Sequence, residues 1–294
     1  MFTLHHSALL TDFAAFQLLI LVQSHSSAFG ARREIRKTWG MKTSESFRGF
    51  PREQTWRTLF VLGRSATEQW ERQVAKEEEE FADVLQADFL DSQFEGTRHF
   101  LLGVTWLSET LTREQCRPRF VLLTQHHIFH NMFALMPWLQ QQALLEGDVY
   151  MGKRLTKDIP IRDAGSPLFV PAHDFPERYF PDMIQGPQFL FSMETLLSLT
   201  NHINAVPKIA MQEGYIALLA RRAGVRPTHS ERFVLLKKPS NICHVTQLLF
   251  VSDVKASDHR KILRDVINAK RDGKCANTHV LKVGLHKNSA HHEI

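Results

Sequence analysis

Short apolar runs alternate with longer helix-forming stretches over the first half of the chain. Leu18 to Val22, Thr58 to Leu62 and Phe120 to Leu123 are compact apolar runs, the pattern of strands buried within a parallel sheet. Gly63 ends the second run, polar Gln23 to Ser27 reads as a loop after the first, and Val84-Leu85 predicts a further short strand. Thr67 to Glu80 is polar and helix-forming, and its acidic block Glu77 to Glu80 reads as a solvated helix end. Leu101, Val104, Leu107 and Leu111 recur at helical spacing, and Met132 to Leu145 predicts another helix. This alternation predicts a doubly wound α/β sheet whose ligands sit at the carboxyl ends of the strands.

The second half is less regular. Gly152 to Gly186 is rich in Pro and reads as loop. Leu190 to Leu199 and Ile209 to Ala223 return to helix, the latter capped by Gly224 and stopped by Pro227. Phe233 to Leu236 and Thr246 to Val251 predict strands, and Ile262, Leu263, Val266 and Ile267 form one stripe of a last helix. The pattern divides the chain into an amino-terminal segment (1–17), one domain (18–251) and a carboxyl-terminal helix with a basic, His-rich tail (252–294).

Composition narrows the class. The 294 residues suit one large domain or two small ones, and 43% hydrophobic with 23% charged residues excludes a wholly disordered or collagen-like chain. Three cysteines (Cys116, Cys243 and Cys275) exclude a disulfide scaffold and leave one bridge or three thiols open. A net charge of +5 is too small and too scattered to argue a nucleic-acid partner. The 16 His would make the surface more positive in a mildly acidic compartment. Phe13 to Val22 falls short of the roughly 20 residues of a membrane span, so no span is expected here. Small residues after it fit a signal peptide, yet Asp12 abuts it and no Lys or Arg precedes it; we read Leu18 to Val22 as strand.

Several blocks, in order, resemble the β-1,3-glycosyltransferases, the family of galactosyl- and N-acetylglucosaminyltransferases. Arg32-Arg33-Glu34-Ile35-Arg36-Lys37-Thr38-Trp39-Gly40 resembles the family's R-x-x-I-R-x-T-W-G block. Asp83-Val84-Leu85-Gln86, Asp88-Phe89 and Asp91-Ser92 resemble its D-[IV]-L-Q-x-D-F-x-D-S segment. Gly147-Asp148-Val149-Tyr150, Pro160-Ile161-Arg162-Asp163, Tyr179-Phe180-Pro181 and the stretch from Pro207 to Pro227 follow in register. The resemblance implies a GT-A-like, Rossmann-like mixed sheet flanked by helices. It implies an inverting hexosyltransferase that moves sugar from a UDP-sugar onto a glycan acceptor, using Mn²⁺. It also implies a Golgi-lumenal, membrane-associated setting; other glycosyltransferases are the expected partners if the chain is an inactive relative.

Inverting transfer requires that charge on the departing diphosphate be offset and that a carboxylate take the acceptor hydroxyl's proton. The family uses three consecutive Asp for the first; here Gln125-His126-His127 stand instead, so Mn²⁺ is expected to bind much more weakly. Imidazoles at 126, 127 and 130 suit Zn²⁺ better, with His229 as a distal ligand; the alternative is that they hold no metal. The family's Glu-Asp-Val-Tyr block appears as Gln212-Glu213-Gly214-Tyr215, which assigns Glu213 as the base and puts a flexible Gly beside it. The family's Cys-[SA]-Gly-Gly-Gly-Tyr loop appears as Ile184-Gln185-Gly186-Pro187-Gln188-Phe189, retaining Gly186. Arg32, Arg36 and Arg162 either grip phosphate or pair with carboxylates of the scaffold, and Asp88 and Asp91 either face the nucleotide or orient loops. Two functions stay open: a transferase with a weakened donor site, or an inactive pseudo-glycosyltransferase acting as a binding or chaperone-like partner.

Overall fold

The computed structural model describes residues 17–40, 55–110, 117–142, 147–237, 241–273 and 275. The segment 1–16, Leu111, Cys116, Leu145 and the tail beyond 275 lie outside these residues.

Strand β1 (Leu18–Gln23) leads through helix α1 (Phe29–Lys37) to β2 (Trp56–Arg64), and α2 (Glu68–Phe81) leads on to β3 (Val84–Leu90). Helix α3 (Gly96–Thr110) returns the chain to β4 (Phe120–Gln125), and β5 (Phe129–His130) with α4 (Met132–Gln142) follows. Next come β6 (Tyr150–Leu155), β7 (Met183–Ser192), α5 (Met193–Thr200), α6 (Gln212–Arg222) and β8 (Thr228–His229). The chain closes with β9 (Leu236–Lys237), α7 (Ile242–Gln247), β10 (Phe250–Ser252) and α8 (His259–Arg271). Seven strands form one sheet in the order β3-β2-β1-β4-β7-β6-β8, and β5-β10-β9 form a small second sheet. Strands β1 to β4 run parallel, while β7 opposes both β4 and β6, so the large sheet is mixed.

Alternation within β1 shows why its sequence is apolar throughout. Leu19 and Leu21 enter a core with α3, α5 and α6, whereas Leu18, Ile20 and Val22 enter a second core with α1, α4 and α8. The predicted stripe Ile262, Leu263 and Val266 of α8 is buried in that second core, so residues 252–271 pack as part of the domain. Gly224 sits just past α6 with φ of +74°, as the capping signal predicts.

Some predicted elements are corrected. Leu190 to Ser192 belongs to β7, and the helix begins only at Met193, where Ser192 Oγ caps it by accepting from Thr195 N–H. Gly152 to Leu155 and Met183 to Gly186 are strand rather than loop, and Thr246-Gln247 ends α7. A 3₁₀ turn takes Glu231–Phe233 before β9. Cys243 and Cys275 form a disulfide that joins α7 to the residues after α8.

The acidic end of α2 is the largest correction. Glu77 is buried between two arginines of α1: Arg32 donates to its carboxylate at 2.7 and 2.9 Å, and Arg36 at 2.6 Å. Arg36 also grips both oxygens of Asp83, at 2.5 and 2.8 Å. Burial alone would raise the Glu77 carboxyl, but the two guanidinium groups outweigh it and hold it below the ordinary glutamate value. Glu78 accepts from Val84 N–H at 2.9 Å; burial and the nearby Asp83 still push its carboxyl up to about 7. Glu79 and Glu80 alone are exposed, as the solvated reading requires.

Glu77→Ala leaves two buried guanidinium groups short of a counter-charge, so chemical denaturation should report a loss of about 3–5 kcal/mol. A change below about 1 kcal/mol would show that the network contributes no stability. Glu78 binds its proton more tightly folded than unfolded, so its contribution is full below the ordinary glutamate value and is lost as pH rises through 7. Glu78→Gln should flatten that fall in a pH series of melting curves, and an unchanged slope would assign the fall to other groups.

Candidate active site

The sheet order places β1 beside β4, with β2 and β3 to one side and β7, β6 and β8 to the other. This is the topological switch point, where diverging connections leave a crevice at the strands' carboxyl ends. A half-open cavity of about 420 Å³ occupies it. Gln23, Ser24 and His25 line it from the end of β1, and Gln125, His126 and His127 from the end of β4. Asp91, Ser92, Gln93, Gly96 and His99 close it from the connection between β3 and α3.

The first wall is fixed from behind. Arg32 is fully buried, and its remaining N–H groups donate to Ser24 Oγ (3.1 Å), His25 O (2.6 Å) and Ser26 O (3.0 Å). With Glu77, these partners use every N–H of the guanidinium. Arg32 and Arg36 therefore hold the scaffold, and the phosphate-gripping alternative is not the one this structure adopts. Arg162 is likewise engaged, donating to the carbonyls of Val170, Phe175 and Glu177 and so pinning the long connection before β7. Asp88 pairs with Arg64 at the surface, outside the cavity. Asp91 does line the cavity: one oxygen accepts from Ser26 N–H at 2.7 Å, and the other lies 3.1 Å from His99 Nε2.

The second wall does not fit a hard divalent cation. Gln125 is neutral, and burial, with neighbouring His127, pushes the His126 imidazole down to about 4. Burial lowers His127 as well. His229 does not join them; it sits on β8 at the far edge of the sheet, with Nδ1 taken by Arg154 N–H (3.2 Å) and Nε2 beside Glu231 (2.9 Å). His130 turns inward from the small sheet, 3.0 Å from Thr124 Oγ1, and stacks on Trp39. Among the described residues, no three His, Cys, Asp or Glu side chains converge to hold a metal ion. Neither the three-carboxylate Mn²⁺ site nor the His-based Zn²⁺ site is formed.

Glu213 occupies the first turn of α6. Thr97 Oγ1 donates to Ala210 O at 3.0 Å, and the Gln212 side chain packs on Gly96, so the starts of α6 and α3 meet at the cavity's rim. The Glu213 carboxyl accepts from its own N–H and from Gly186 N–H. Burial still raises its pKa, with Asp158 adding to the effect. A methyl group on Gly186 would overlap Glu213 Oε1, so the retained glycine is what lets β7 approach the carboxylate. Gly214 is not loose: Phe180 ring atoms lie 2.8 Å from where its Cβ would be, and the ring fills that space. Gln188 Nε2 donates to Thr124 Oγ1 at 2.6 Å, tying β7 to the end of β4 beside the cavity.

Sequence reasoning thus meets the structure at Asp91, Gln125, His126 and His127, which share one cavity, and at Glu213 with Gly186, which touch. It missed His25, Gln93, Gly96 and His99. Position after an apolar strand was the available signal for His25; His99, buried on α3, carried none.

Comparison with sequence families matches residues 30–231 to the family Galactosyltransferase. Beta-1,3-galactosyltransferase 1 of Mus musculus is 25% identical over 253 residues, covering 86% of this chain and 74% of that protein. Beta-1,3-galactosyltransferase 9 of Homo sapiens is 30% identical over 217 residues, covering 74% of this chain and 56% of that protein. Among solved structures, S. aureus TarS 1-349 superposes with a TM-score of 0.37 at 12% identity, over 92% of this chain and 76% of that one. With more than half of its length matched by the family, and the ordered blocks lying within the fold described above, the chain belongs to the Galactosyltransferase family.

Proposed function

We propose that this protein is a hexosyltransferase in which the switch-point cavity takes the UDP part of a UDP-sugar and Glu213 serves as general base. The observation that carries this reading is Glu213 itself: a half-buried carboxylate with a raised pKa, held by Gly186 N–H beside the cavity. In the reaction, the acceptor hydroxyl gives its proton to Glu213 as its oxygen bonds to the anomeric carbon, and the bond to the diphosphate breaks with inversion. The residues at 125–127 do not support a metal-held diphosphate, so no step is routed through a cation. The amino end of α3, whose Gly96 lines the cavity, offers partial positive charge to the departing phosphate instead. Replacing carboxylates with neutral side chains also removes negative charge that would repel a diphosphate in the absence of a cation.

A second reading, an inactive binding partner of other glycosyltransferases, is favoured by one observation: the lack of a converging ligand set among the described residues. The Cys243–Cys275 disulfide supports an oxidising, lumenal setting such as the Golgi for either reading.

Calorimetric titration with UDP should show binding that chelator does not abolish; binding seen only with added Mn²⁺ would overturn the metal-free donor site. Gln125→Asp, His126→Asp and His127→Asp together should make UDP binding Mn²⁺-dependent. Glu213→Gln should lower sugar transfer by about 10²–10⁴-fold while leaving UDP affinity intact. Because a base acts when ionised, the transfer rate should rise with pH through a value above the ordinary glutamate pKa of about 4.3. UDP binding without transfer to any acceptor, wild type included, would favour the inactive partner.

A further inference from the structure

Further along α6 from Glu213, a second half-open cavity of about 550 Å³ has three arginines in its wall. Arg154 reaches it from β6, Arg221 from the last turn of α6, and Arg226 from just past that helix, against the one carboxylate of Asp182. Arg221 is held by Glu177 at 2.8 and 2.9 Å. Arg154 and Arg226 make no ion pair with a described carboxylate, so two positive side chains share the hollow with the single, unpaired carboxylate of Asp182, leaving an excess of positive charge. Like charges so placed repel, and an anion with two or three acceptor oxygens relieves the repulsion while satisfying the planar forks.

The cavity's position relates it to Glu213. Residues 213, 217 and 221 follow at i, i+4 and i+8 and so share one stripe of α6. Ala217 and Arg221, both in the cavity wall, therefore stand about 6 and 12 Å along the axis from Glu213. Arg154 lies opposite Ile184, two residues from the Gly186 whose N–H meets the Glu213 carboxyl. Tyr179, two residues before Pro181 of the wall, is partly exposed and carries the Arg178 guanidinium over its ring at 5.2 Å, which adds a further cation to this stretch of the surface.

We propose that this cavity is an acceptor subsite for an acidic saccharide. Its arginines hold a carboxylate or sulfate one or two sugar rings from the hydroxyl that Glu213 deprotonates. The assignment rests on the reading of Glu213 as base, and it predicts a preference that the donor cavity alone would not confer.

The test is calorimetry on the full chain with four probes: a glucuronate-containing disaccharide, a sulfated disaccharide, their neutral counterpart and free sulfate, with UDP titrated separately. The acidic disaccharides should bind about tenfold or more tightly than the neutral one, an advantage that shrinks with added salt. Arg154→Gln with Arg226→Gln should remove the advantage while melting temperature and UDP affinity stay unchanged. Which acidic disaccharide binds tighter separates carboxylate from sulfate as the anion. Equal binding of acidic and neutral sugars would overturn the proposal, as would a preference that survives the double substitution. Free sulfate binding as tightly as the disaccharides would reduce the site to one for small anions and overturn the acceptor assignment. UDP binding without acidic-sugar binding sinks this inference alone; acidic-sugar binding without UDP binding sinks the donor reading alone.

Discussion

Arg32 and Arg36 lie side by side on α1, withdrawn from water, and the β1 and β3 sides of the switch-point cavity are built outward from the carboxylates that neutralise them. Burying such charges is costly unless each finds a partner with good geometry, and here Glu77 and Asp83 supply it from α2 and the start of β3. Because Arg32 also binds the carbonyls of His25 and Ser26, the same network dictates how the chain leaves β1. Ser26 N–H then fixes Asp91, so a charge cluster behind the sheet positions both the β1 and the β3 sides of the cavity.

The opposite wall is held by contacts of its own. Thr124 at the end of β4 stays fully buried and linked to Gln188 and His130, so the strand still delivers its last residue to the crevice. What it delivers is neutral: Gln125, and imidazoles at 126 and 127 whose pKa values burial lowers. Glu213 reaches its place by independent means, the packing of α6 on α3 and the close approach of Gly186, and so does not depend on the β4 wall.

Strands β1, β2 and β4 were legible because burial on both faces makes the centre of each a continuous apolar run. The border between β7 and α5 was hidden because apolar residues run through Leu190 to Leu199 on both sides of it, and neither period stands out until Ser192 is recognised as a cap. Glu77 was misread because its partner on α1 is 41 residues away, and periodicity within α2 says nothing about that distance. For the site, the rule that ligands meet strand ends, together with the resemblance, located residues 125–127, Asp91 and Glu213. Neither could say that Arg32, Arg36 and Arg162 are already committed to partners, since a guanidinium looks the same in sequence whether it holds a phosphate or a carbonyl. The pairing of Cys243 with Cys275 was equally beyond spacing alone.

That disulfide has a consequence for the cavity. It fastens α7 to the far end of α8, and α8 begins with His259, which accepts from Trp39 Nε1. Trp39 stacks on His130, and His130 touches Thr124 at the end of β4. Burial keeps both imidazoles neutral, at about 3 for His130 and about 4 for His259, so this column of rings holds by packing and needs no charge. A covalent clasp past the far end of α8 is therefore joined, through that helix and the packed rings, to the strand end whose next three residues line the crevice.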